Sequence, residues 1–94
     1  MRFKAQTNLQ DAELIALKAL GFLASDGERL GRFLALTGIA PQDIRAAAAE
    51  PAFLLGILDH LRGDQSLLLE FTSSEGIDPA RIDAASHLLS GARP

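Results

Sequence analysis

A chain of 94 residues with a net charge of −3, 48% hydrophobic content and no cysteine has room for one core held by apolar packing, and it has no disulfide or thiolate chemistry. Leu and Ala dominate the apolar residues, and Tyr and Trp are absent, a bias toward helix formers over strand formers. Residues 1–45 carry six Lys/Arg against five Asp/Glu and residues 46–94 carry three against seven, so the chain lacks the basic face that polyphosphate binding requires.

Taken in chain order, residues 1–8 read as a flexible tail. In MRFKAQTNLQDAE the basic residues lead into a polar stretch instead of an apolar signal core, so no secretory signal is expected and the cytoplasm is the default location. Asn8, with Asp11 three positions on, predicts the start of a helix over 9–24. Its apolar part, LIALKALGFLA from Leu14 to Ala24, holds only 11 residues and includes Lys18, too short to span a membrane, which takes about 20 apolar residues. Asp26 predicts a cap for a helix over 27–37, and Pro41 a first helical turn for 41–49. Pro51, Asp64 and Asp78–Pro79 do the same for 51–62, 65–75 and 79–90. Gly38, Gly63, Gly76 and Gly91 each follow an apolar run and read as helix stops. Gly56 interrupts FLLGIL inside the fourth helix, which predicts a close backbone approach there.

The stretch GIAPQDI, Gly38 to Ile44, returns as GIDPARI, Gly76 to Ile82. Shifting the chain by 38 residues matches 12 of the 34 positions from Leu14 to Ala47, without a gap. The matches include Leu17, Leu20, Leu23, Asp26, Phe33, Pro41 and Ile44 with Leu55, Leu58, Leu61, Asp64, Phe71, Pro79 and Ile82. These identities predict two related three-helix units, about 14–48 and 52–86, within one helical domain spanning 1–94. In each unit the Phe and the Ile after the Gly, Ile39 or Ile77, are expected to pack around the turn. The expected fold is all-α, a compact orthogonal bundle of five or six short helices.

The turn FLALTGIAPQDI resembles a helix-turn-helix in its spacing. However, the position four before the Gly, normally small, is Leu34 or Thr72, and PQDIRAAAAE and PARIDAASHLL offer one Arg each among Ala and acids. Phosphate cradling also fits poorly. Asp26 with Glu28, Asp64 and Asp78 already place carboxylates at helix N-termini, and GFLASDG lacks the Lys-Ser/Thr end of a P-loop.

The chemistry-bearing residues are few. His87 stands four after Asp83, spacing that suits an ion pair better than a metal site with no third ligand. His60 stands four before Asp64, whose capping role already accounts for that Asp. Ser25, Ser73, Ser74 and Ser86 have no nucleophile elbow around them. No catalysis, cofactor or metal is expected.

Apolar surface is in excess, since LIALKALGFLA, FLLGIL and SLLLEF are apolar around most of a helix. Such surface either crosses the middle of the fold or meets another chain. Arg29 and Arg32 lie three apart, with Lys18 upstream and Arg45 downstream. These four are the candidate partner-binding residues, and the total charge favours an acidic protein partner over DNA.

The segment DGERLGRFLALTG, the IRAAA step from Ile44 to Ala48 and the PAFL step from Pro51 to Leu54 resemble an uncharacterised family of short bacterial proteins, a domain of unknown function. The resemblance runs from about Leu14 to Leu89. It implies an all-helical cytoplasmic bacterial protein and brings no activity, cofactor or catalytic residue. The expected role is a small non-catalytic interaction or regulatory module that binds an unknown protein or a second copy of itself, with DNA binding as the alternative.

Overall fold

The computed structural model describes residues 8–92; residues 1–7 of the expected tail lie outside the described residues. Asn8 opens α1 (Leu9–Ala24) with a reciprocal cap: its side chain accepts the Asp11 amide at 2.8 Å, and its own amide donates to the Asp11 carboxylate at 3.4 Å. Asp26 accepts the Glu28 amide at 2.9 Å to start α2 (Gly27–Thr37), which Gly38 ends in the left-handed conformation at φ 75°. A 3-10 turn, Pro41–Asp43, leads into the single turn α3 (Ile44–Ala47). Then follow α4 (Pro51–Arg62), α5 (Gln65–Glu75) and α6 (Pro79–Ala92). Asp64 caps α5 through the Leu67 amide at 3.2 Å, Gly76 ends it at φ 66°, and Asp78 accepts the Ala80 amide at 2.9 Å. The fold is all-α, and no strand occurs among the described residues.

Three sequence expectations are corrected. The segment 41–49 does not form one helix. Glu50, held extended before Pro51 at φ −99° and ψ 126°, stops it as a residue preceding proline does. Ile44 and Ala47 are also only half-buried, so little packing supports a longer helix. Gly63 does stop α4, at φ −81°, whereas Gly91 lies inside α6 instead of after it. At Gly56 an added Cβ would meet no atom within 4 Å, so the expected close approach is not there.

The core is one apolar cluster. Its centre is formed by α1, α4 and α6, which pack on one another. α1 contributes Ala12, Ile15, Ala16, Ala19 and Leu23, and the small Ala side chains let its neighbours come near. α4 contributes Leu54, Leu55, Ile57, Leu58 and Leu61, and α6 contributes Ile82, Ala85 and Leu89. α2 and α5 are pinned to this centre by Phe33 and Phe71, both fully buried. Phe71 meets the Phe22 ring of α1 at 5.4 Å. Phe33 meets Phe53 and His60 of α4 at 5.8 and 5.1 Å. Each of these buried rings is therefore packed by an aromatic from the other half of the chain.

The two Gly turns differ. Both glycines donate to the carbonyl four residues earlier, Leu34 or Thr72. The Ile77 amide adds a second bond to the Thr72 carbonyl at 2.9 Å, and its side chain is buried. Ile39 instead donates to the Thr37 hydroxyl at 3.4 Å and is half-exposed. The second turn is closed against the core, and the first is left open.

Two substitutions test this packing. Phe33→Ala leaves a cavity under Phe53 and His60 and is expected to cost about 3–5 kcal/mol, lowering the thermal midpoint by more than about 10 °C; an unchanged melt would contradict the packing. Gly56→Ala fills open space on a helix and is expected to stabilise by about 0.5–1 kcal/mol, read as a higher urea midpoint.

Candidate functional site

The four candidate cations do not converge on one place. Arg29 and Arg32, on α2, line a depression with His60, Asp64, Ser66, Leu67 and Glu70. Arg45, on α3, lines a different one with Leu20, Pro41, Gln42, Ile44 and Ala48. Lys18 is exposed on α1 and borders neither.

Arg29 is engaged within the chain. Its Nη2 donates to both Glu70 carboxylate oxygens, at 2.9 and 2.8 Å, and its guanidinium lies 4.8 Å from the Phe22 ring centre. It thus ties α2 to α5 and α1 on one side of the core, a structural role that leaves it little freedom toward a partner. Among the described residues Lys18, Arg32 and Arg45 make no ion pair.

His60 packs its ring against Phe33 and lines the same depression as Arg32. Desolvation beside the core lowers its pKa from the ordinary 6.5, the Asp64 carboxylate opposes this, and the Arg32 charge adds to it. Asp64 holds the cap of α5, as its position in the sequence implies.

The other polar cluster lies between α4 and α6. Arg62 donates from Nε to Asp83 at 3.0 Å and from Nη1 to Asp59 at 3.1 Å, and the buried Ser86 hydroxyl donates to Asp59 at 3.4 Å. These groups and His87 border a depression of about 390 Å³. The expected pairing of Asp83 with His87 gives way to Arg62, which reaches across from the neighbouring helix. Ser25 donates to the Phe22 carbonyl at 2.7 Å and has no His beside it in a hydrogen bond. No group of three potential metal ligands occurs among the described residues.

The apolar surface is more distinctive. Of α1's two sides, one enters the core and the other leaves Leu14 53% and Leu17 43% exposed. Leu20, half-buried on the same outer side, faces Pro41, Ile44 and Ala48 across a shallow groove. Leu36, near the end of α2, is 71% exposed. The run LIALKALGFLA already signalled excess apolar surface, but only the fold shows which side of it stays open. No helix among the described residues is long and apolar enough to cross a membrane.

The His60 site makes a pH prediction. Because its folded pKa lies below the unfolded value, the unfolded chain binds the proton more readily, and the contribution is full above about pH 6.5 and declines as the pH falls through it. NMR titration should place the His60 midpoint below 6.5, and His60→Gln should flatten the loss of stability on acidification between neutral pH and about pH 5.

No curated protein and no solved structure shows significant similarity to the chain. A family model does match, over residues 9–92, nearly the whole of the described fold. The chain belongs to the DUF3572 family, a protein of unknown function.

Proposed function

We propose that this chain is a small non-catalytic interaction module of the bacterial cytoplasm, which binds a protein partner through the outer side of α1. The observation that carries this reading is the open apolar stripe on α1. A domain of this size gains little by leaving Leu14 and Leu17 in water on a helix whose other side is already buried, and exposed apolar patches rimmed by polar groups mark interaction sites. Lys18 and Arg45 stand near the stripe with no ion pair of their own among the described residues. They replace Arg29 as the cations available to a partner. The absence of cysteine fits a reducing compartment.

DNA binding gains nothing from the geometry. The segment after the first Gly turn contributes a 3-10 turn and one turn of α-helix, whereas a recognition helix lies in the major groove along several turns. The segment after the second turn, α6, packs against α1 and α4.

Affinity capture from native lysate, with nuclease present, compares the wild-type chain with Leu17→Glu. Leu17 is outside the core, so the variant should melt within about 0.5 kcal/mol of wild type. The expected result is a stoichiometric protein retained by wild type and lost with Leu17→Glu. Identical captures from the two would overturn the assignment of this surface.

A further inference from the structure

The two halves of the chain treat the same apolar positions differently, and the difference describes what is missing from the first half. Leu17 and Leu20 of α1 match Leu55 and Leu58 of α4 at the 38-residue offset. In the second half both are buried. The helix that packs there is α6, whose Asp83, Ser86, His87 and Ser90 border Leu55. The positions matching Ile82 and Ala85 of α6, Ile44 and Ala47, belong to α3, which stops after one turn. A helix covers this kind of face in one half, and the corresponding face in the other half lies open. The shape of the missing element is therefore a helix laid along α1 beside α3.

Charge decides whose helix it is. At about 100° per residue, Leu20, Leu17 and Leu14 succeed one another around α1 in steps of about 60°, with Lys18 about 40° beyond Leu14. The Leu20 side of the stripe meets α3, where Arg45 stands with Pro41, Ile44 and Ala48 on the lining side. Lys18 and Arg45 thus flank the stripe on opposite sides, and Asp11, on the Lys18 side two turns earlier, is held in the cap with Asn8. Asp43 does not line the groove. Glu13 is in line with the stripe one turn before Leu17 and marks its N-terminal end.

Two occupants from this chain are disfavoured. Residues 1–7 contain Arg2 and Lys4 and no acid, the wrong sign for cationic margins. A second copy meeting this face through a two-fold axis would set the same patch against itself, bringing Lys18 and Arg45 toward their own counterparts.

We infer that the groove between α1 and α3 receives an amphipathic helix of another protein, with an apolar stripe against Leu14, Leu17 and Leu20 and acidic residues on both flanks, toward Lys18 and Arg45. Glu13 sets its direction, since the partner position facing it is basic or neutral. This rests on the interaction-module reading and names the chemistry of its partner. The binding mode is helix-in-groove, with anchors spaced at three and four residues.

The test is a display library of helical peptides with Leu at the stripe positions and Glu, Lys or Ala randomised at both flanks. It is selected on the full chain and counter-selected on Leu17→Glu. The expected winners carry Glu on both flanks. They should bind Lys18→Glu/Arg45→Glu at least about tenfold more weakly and weaken as salt is raised. Circular dichroism confirms that both variants, altered only at exposed residues, remain folded. Leu17-dependent winners with neutral or Lys-rich flanks would overturn the acidic partner and leave the interaction module standing. A Leu17-dependent dimer of the chain alone in sedimentation equilibrium would overturn it in favour of a second copy. With neither a Leu17-dependent binder nor a dimer, the interaction module itself would fall with it.

Discussion

The reciprocal burial of Phe33 and Phe71 is the constraint on which the rest of this bundle depends. Each is fully buried, and each is packed by rings from the other half of the chain, Phe53 and His60 on one side and Phe22 on the other. Neither half can complete its own core, because the ring that covers its phenylalanine is on a helix of the other. The surrounding features serve that exchange. Asp26 and Asp64 start α2 and α5 where their phenylalanines reach the centre, and Gly38 and Gly76 turn the chain away afterwards. Arg29 then fastens the outer edge, joining α2 to α5 through Glu70 while lying against Phe22.

Most of the helix boundaries could be read from the sequence because they are marked by local chemistry. An Asn or Asp whose side chain meets the amides of the next turn, a Pro at the first helical position and a Gly at positive φ act within four residues of themselves. The boundaries misread were those where local signals meet tertiary demand. Gly91 carries a stop signal one residue before α6 ends, and Ala46 to Ala49 are strong helix formers with too little core to bury against. The candidate site was less readable still. Arg29 and Glu70 are 41 positions apart and Arg62 and Asp83 are 21 apart, so their pairing depends on how helices cross. That Arg29 would be occupied and Arg45 left open could not be derived from spacing.

The asymmetry between the halves has a physical cause in two short segments. After Gly76, Ile77 is buried and α6 runs 14 residues across α1 and α4. After Gly38, Ile39 is left half-exposed, and the chain has only Ala40 to Glu50 before Pro51 forces it into α4. That segment forms only a 3-10 turn and a single turn of α-helix, so no second covering helix is made. The open side of α1 thus follows from the connection joining the halves, independently of the composition of α1 itself.

The packing of α6 against both α1 and α4 also bears on how the molecule is made. α6 is the last of the described helices to leave the ribosome, and α1 is the first. Until α6 emerges, the sides of α1 and α4 that meet it have no native cover, α1 for most of synthesis and α4 late in it. Contacts between the ends of a chain are closed late, after the loop entropy of everything between them has been overcome. The protein therefore folds as a unit after synthesis of α6, and its earlier segments depend during that interval on whatever in the cell shields nascent apolar helices from one another.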